Sequence, residues 1–450
     1  MITISAMLER PGNDDLPSLH RAGVEHTAWN AAKFKSSVAN YVLQTHPVID
    51  SNHAVIRCEN GKKSEKREKP VDTPMNQSGG SLPALTSIRF LAAITVVVSH
   101  YSELGLLNLP TQIFNFVDGG RPAVSLFFVL SGFILTFTYR DQLAAKGCAR
   151  FYQARFARIY PVVLLGLALC VPTTLYLLNG DDPSLLLQWY ALKNSVLLSL
   201  GVSLICQLLL LNAWFPFAAI NQPWNGPSDS VSCEAFFYLM FPLLLRKMMS
   251  TRMAWLTLAC LGFFLIQGLW IAFLQTYLPI SRSGFLVVGL PLTRLFEFVA
   301  GIYAAILFQQ LCEQGVSRHA LGVKLVTLSL IVLTVLALWR PVSPAFYLES
   351  PLFAALILGL ALMDRPVINL LNQGPLVRLG EASYSLYLIH VPVAYLAYIA
   401  GFRQSNGWIA MLFAVVASLL IFRFFEEPMR KRIRARFSQV SVPNDNQVTA

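Results

Sequence analysis

The sequence predicts an all-α, polytopic membrane protein with about ten transmembrane helices and one partial or re-entrant segment. Three observations carry that reading. The 450 residues are 55% hydrophobic and 13% charged, whereas soluble domains carry about 25% charged residues. The mean hydropathy is +0.54. Apolar segments long enough, or nearly so, to cross a bilayer follow one another from residue 83 to residue 425. The net charge of +11 does not signal a nucleic-acid partner. Lys and Arg cluster at the ends of apolar segments, where they orient spans toward the cytoplasm.

Residues 1–81 stand apart. They are polar, include the run KKSEKREK from Lys62 to Lys69, and hold no apolar stretch of signal-peptide length. Their composition predicts a disordered cytoplasmic tail. Residues 437–450 read as a second disordered tail, which leaves 82–436 as the membrane domain. The seven cysteines form no CxxC pair and lie mostly in apolar segments, so neither a disulfide framework nor a metal site is expected.

The apolar segments fall at about 83–104, 122–139, 159–179, 195–213, 232–246, 253–274, 286–309, 321–339, 350–363, 383–401 and 407–425. Charge decides which of them cross. Lys62 to Lys69, the loop from Arg140 to Arg158, and the run Arg430, Lys431, Arg432, Arg434, Arg436 all belong inside by the positive-inside rule. Both termini inside requires an even number of spans. Arg246, Lys247 and Arg252 also belong inside, so segment 232–246 runs inward. Segment 195–213 must then begin and end on the outer side, as a re-entrant or interfacial helix. Re-entrant backbone persists only where protein or a water-filled cavity surrounds it. A polar outer loop is expected at about 214–231. The paired broken helices of transporters are not evident.

Ionisable groups inside spans are expensive and read first as functional. Arg89 and His100 share the first span, eleven residues apart. That is about three helical turns, so they lie on one face, about 16 Å apart along the axis. One face of one helix therefore carries a fixed cation near one membrane surface and a titratable base well inside. His390 lies in another span and reads as a satisfied core residue. Ser131-Gly132 permits close helix packing. Arg155 and Arg158 share a helix face, with Arg150 about one turn earlier. They are either positive-inside anchors or a clamp for phosphates, which planar guanidinium groups suit. Glu234 opens its span on the predicted outer side. It either complements the helix dipole or orients a histidine. Arg294 and Glu297 are i,i+3 neighbours and read as a structural pair.

These motifs occur in a fixed order: Arg89-x10-His100, the GxxAVSLFFVLSGF stretch, RFARIYP, Glu234-x-x-Phe-Tyr-x-x-x-Pro, RLFEFVAG, GEASYSLYLIHVPV and Glu426-x-Pro428. The set resembles the acyltransferase-3 family of bacterial membrane O-acyltransferases, over about 82–436. The resemblance implies about ten helices and an inner-membrane location with both termini cytoplasmic. It also implies transfer of an acyl group, commonly acetyl, from cytoplasmic acyl-CoA to a hydroxyl of a glycan or glycolipid. Such acceptors include lipopolysaccharide, exopolysaccharide and peptidoglycan. By the same resemblance His100, Arg89 and Glu234 are catalytic candidates, and Arg150, Arg155 and Arg158 are candidates for holding acetyl-CoA. No tightly bound cofactor is implied. His100 suits a general base for the acceptor hydroxyl. Arg89 either binds CoA or polarises the thioester carbonyl, and Glu234 either pairs with His100 or binds the acceptor. Asp229 stands where the family often has Trp. No segment after the last span reads as the esterase-like domain that relatives often carry, and the long N-terminus is outside the family pattern. The rival reading is a transporter or flippase for a sugar or lipid-linked intermediate, which would consume no acyl-CoA.

Overall fold

The computed structural model describes residues 82–110, 113, 120–180, 183–314, 318–339, 345–363 and 369–440. The N-terminal tail expected at 1–81 lies outside the described residues, as does most of the C-terminal one. Residues 437–440 belong instead to the last helix, which runs past the expected start of the tail because EPMRKRIRAR is composed mainly of good helix formers.

Among the described residues all regular structure is helical. The first helices are α1 (Pro83–Glu103), α2 (Arg121–Leu143) and α3 (Gly147–Asn179). Short α4 (Pro183–Tyr190), α5 (Val196–Leu208) and α6 (Ala218–Asn221) precede α7 (Ser228–Met249) and α8 (Met253–Tyr277). Then come α9 (Ile280–Val288), α10 (Leu295–Glu313), α11 (Arg318–Trp339) and α12 (Ala345–Leu362). The last are α13 (Gly374–Ile399), α14 (Gly407–Ile421), a π-helical turn at Phe422–Glu426, and α15 (Glu427–Val440). Gly147 separates α2 from α3 with φ 73° and ψ 171°, a left-handed conformation that glycine adopts without Cβ strain.

Nine of the described helices are long and apolar enough to cross a membrane, α14 being counted with its continuation to Phe437. Side-to-side contacts give their relative directions. Ser125, Gly132 and Arg140 of α2 meet Arg294, Gly301 and Gln309 in order, so α2 and α10 are parallel. Between them α3, α7 and α8 cross, which restores the direction only if α5 does not. Thr86 and His100 of α1 meet Gly380 and His390 of α13, so these two are parallel as well. Gly322 of α11 meets Met363 while Val326 meets Gly359, which makes α11 and α12 an antiparallel hairpin. The shorter apolar helix α12 is therefore the tenth crossing.

The segment around α5 is re-entrant. The Tyr160 hydroxyl, well inside α3, donates to the Leu208 carbonyl at the end of α5 (3.1 Å). The chain then turns back through α6 rather than crossing. Backbone at this depth needs internal partners, and it has them. Gln207 donates to the Pro223 carbonyl (2.5 Å), Asn221 to Phe215 (2.8 Å), and the Trp224 indole to Leu200 (3.0 Å). The expected polar outer loop at 214–231 is corrected accordingly: Asn221, Asn225 and Ser228 are buried. Asn221, Asn225 and the Pro223 carbonyl serve internal hydrogen bonding, while residues 215–218 remain exposed.

Glycines set the tightest contacts. A Cβ on Gly132 would strike the Phe298 carbonyl, and one on Gly301 the Val129 carbonyl. The two helices approach this closely because neither has a side chain there. Gly132→Ala or Gly301→Ala is expected to cost about 1–3 kcal/mol through overpacking, read as a lower melting midpoint in detergent. Gly262→Ala, where nothing lies within 4 Å, should leave the midpoint unchanged.

Candidate active site

A cavity inside the bundle is lined by Arg89 of α1, Ser131 of α2, Arg155 and Arg158 of α3, Ser230, Glu234 and Tyr238 of α7, and Ser383, Tyr384 and Tyr387 of α13. Five helices thus contribute one to three polar side chains each to a space whose apolar walls include Val124, Phe127, Phe128 and Leu130. Each helix is apolar overall, and its few polar residues face inward because the bilayer offers them no partner.

Arg158 forms an ion pair with Glu426, and the Ser385 hydroxyl donates to the other carboxylate oxygen at 2.6 Å. Glu426 is buried and closes the π-helical turn, a local widening common at functional sites. Arg155 is held differently. Its guanidinium donates to the Tyr139 hydroxyl at 2.5 Å and lies 4.8 Å from that ring's centroid, with Phe151 and Tyr238 completing an aromatic enclosure. Its Nε has no partner. Glu234 accepts hydrogen bonds from Tyr238 and from Ser131 (3.1 Å). Arg89 lines the same cavity as Arg158 and Glu234. Three guanidinium groups therefore face two carboxylates, which leaves an excess positive charge in a space of low polarity, suited to an anion.

The structure thus brings Arg89, Arg155, Arg158 and Glu234 together. Arg150 is exposed and is not among the lining residues. Glu234 does not meet His100: it stands six residues into α7, level with Ser131, not at an outer mouth. Arg294 pairs with Glu297 at 2.9 Å and donates to Ser125 at 3.1 Å, tying α10 to α2 as a structural pair would.

His100 stands farther along α1. Its Nδ1 is 2.8 Å from Nε2 of His390, with the ring planes 2° apart and the centroids 5.1 Å apart. The centroid separation equals the N···N distance plus one ring radius at each end, so this is an in-plane hydrogen bond, not face-to-face stacking. Tyr387 links the two regions. It lines the cavity, its ring centroid lies 5.7 Å from that of His390, and its hydroxyl is 2.8 Å from the Ser230 hydroxyl.

Sequence reading passed over His390, Glu426 and the tyrosines as site residues. For three of them a signal was present in α13, where Tyr384, Tyr387 and His390 recur every three residues and so follow one side of an apolar helix. Pro392 adds a local device. Lacking an N–H, it frees the Leu388 carbonyl four residues back, and Asn225 of the re-entrant segment donates to that carbonyl at 2.8 Å. Gly166 leaves the room, since a Cβ there would meet Asn225 Nδ2 at 2.8 Å.

The family model described as an acyltransferase domain matches residues 82–423. The chain is similar to acyltransferase MdmB of Streptomyces mycarofaciens, at 31% identity over 69% of this chain and 79% of that protein. It is also similar to peptidoglycan O-acetyltransferase OatA of Listeria monocytogenes, at 26% identity over 78% of this chain and 56% of that one. A third relative is the putative peptidoglycan O-acetyltransferase YrhL of Bacillus subtilis, at 24% identity over 80% and 56% of the two chains. The chain thus spans a little over half the length of the latter two. No solved structure matches it.

Proposed function

Because this chain belongs to the acyltransferase-3 family, we propose that it is a membrane-bound O-acyltransferase that takes an acyl group, acetyl in the first instance, from cytoplasmic acyl-CoA. The acceptor is a hydroxyl of a cell-surface or exported glycan or glycolipid, and His100 is the general base. The observation that carries this reading is the convergence of Arg89, Arg155 and Arg158 in one intramembrane cavity, with the His100–His390 pair beyond it toward the other end of α1.

Each group has a task that its surroundings suit. Arg155, with its unpartnered Nε, and Arg158 engage phosphate oxygens of CoA, where delocalised guanidinium groups form directional charge-assisted bonds. Arg89 lies on the face of α1 that leads to His100, about 16 Å along the axis, and holds the donor or its carbonyl oxygen. Glu234 balances the arginines and positions Tyr238. At His100 the acceptor hydroxyl gives its proton to the imidazole as its oxygen attacks the thioester carbon. The carbon–sulfur bond breaks, and the proton passes to the departing thiolate. The protein sits in a bacterial inner membrane with both termini in the cytoplasm, which places the arginine cavity toward the donor's side.

The test is release of CoA thiol by the purified protein in liposomes supplied with acetyl-CoA and a cell-envelope fraction, with mass spectrometry of the glycans. Release together with a glycan mass gain of one acetyl supports the reading. Movement of glycan without CoA release would establish the transporter alternative. Arg155→Ala should raise KM for acetyl-CoA by about tenfold or more, as expected for loss of a hydrogen bond to a charged group. An unchanged KM would remove Arg155 from the donor site.

A further inference from the structure

His390 takes no part in the reaction just described, yet it is wholly buried and makes an in-plane hydrogen bond to His100. The direction of that bond follows from the part His100 plays. Its Nδ1 is taken up by His390, so Nε2 is the nitrogen left to act as base. A base needs a lone pair at Nε2, so in neutral His100 the proton stands on Nδ1. In neutral imidazole one nitrogen donates and the other accepts. Nε2 of His390 is therefore the acceptor, and Nδ1–H of His100 the donor.

We propose that His390 is a positioning residue that fixes His100 in the tautomer whose Nε2 lone pair is free to act as base. This rests on the reading of His100 as general base. When Nε2 takes the proton of the acceptor hydroxyl, the imidazolium retains its Nδ1–H bond to neutral His390. The Nε2 proton then leaves with the thiolate, and His390 neither gains nor loses a proton. A carboxylate does this work in soluble triads. A neutral imidazole does it within a span without adding a charge that the bilayer penalises. The orientation of His390 is itself held. Pro392 interrupts the ladder two residues away, and Asn225 fastens the Leu388 carbonyl that the proline frees.

The full-length protein in liposomes, with acetyl-CoA as donor and a cell-envelope fraction as acceptor, tests the assignment through three variants. His390→Leu keeps bulk but accepts no hydrogen bond. It should lower kcat on the order of 10–100-fold, as loss of the partners that orient metal-bound imidazoles does, with KM for acetyl-CoA unchanged. His390→Gln places an amide oxygen near the position of Nε2 and should recover activity to within a few-fold of wild type. Solid-state NMR of ¹⁵N-histidine protein should show His100 protonated at Nδ1 in the wild type and in His390→Gln. Wild-type kcat in His390→Leu, a folded but inactive His390→Gln, or a His100 protonated at Nε2 in the wild type would each overturn the proposal. His100→Ala serves as the separate control: if it remains active the base assignment itself fails, whereas an inactive His100→Ala beside a fully active His390→Leu condemns only the role of His390.

Discussion

His100→Ala is expected to abolish acyl transfer while the protein still inserts and folds. General-base catalysis by a positioned side chain contributes about 10²–10⁴-fold, so residual transfer from acetyl-CoA should fall to that extent in kcat. The fold should tolerate the change, because the side-chain hydrogen bond of His100 in the structure is the one to His390, and His390 is held in place by its own helix. Stranding the His390 nitrogen costs about 1–3 kcal/mol, less than a protein of this size withstands on the scale of about 5–15 kcal/mol. His100→Gln supplies the second check. It retains hydrogen-bonding capacity but no base, so it should be as well folded as wild type by size-exclusion profile and equally inactive. Wild-type transfer by either variant would end the assignment.

Glu426→Leu should produce the largest loss of stability. It leaves the Arg158 guanidinium inside the bundle without its ion-pair partner, and removing one member of a buried pair costs about 3–5 kcal/mol. The detergent melting midpoint should fall by many degrees. The Ser385 hydroxyl loses its acceptor in the same step. The double substitution Arg158→Leu and Glu426→Leu removes both charges and should restore much of the midpoint, because well-packed apolar residues often match or exceed a buried ion pair. It should not restore acetyl transfer, since Arg158 is then missing from the donor cavity. A double variant that is both stable and active would show that the pair serves only the fold. A Glu426→Leu variant as stable as wild type would show that the pair carries no stabilising weight.

Much of the architecture was legible in the chain. The spans and the non-crossing character of segment 195–213 follow from hydropathy and the placement of Lys and Arg. The parallel packing of α2 with α10 and of α1 with α13 agrees with that alternation. Other features were hidden for identifiable reasons. The stretch 214–231 has a surface composition, and only its hydrogen bonds to α5, α7 and α13 reveal that it is folded inward. Glu234 stands at the predicted start of a span, yet α7 begins inside the bundle. Its carboxylate is therefore level with Ser131 rather than at an outer mouth.

The site divides in the same way. Arg89 and His100 could be placed on one face from spacing alone, because both lie on one helix and helical geometry fixes their relation. The same holds for Arg155 with Arg158 and for Arg294 with Glu297. Relations between helices have no such rule. His390 lies 290 positions from His100, and Glu426 lies 268 from Arg158. His100 and His390 meet where Gly380 lets α13 approach Thr86 of α1, and Arg158 meets Glu426 at the π turn. The sequence by itself determined the class of fold, the alternation of the spans and the residues too costly to bury without purpose. Only the tertiary structure decided which of those residues meet, because helical periodicity orders side chains along one helix, whereas the pairing of distant helices depends on the close packing of their surfaces.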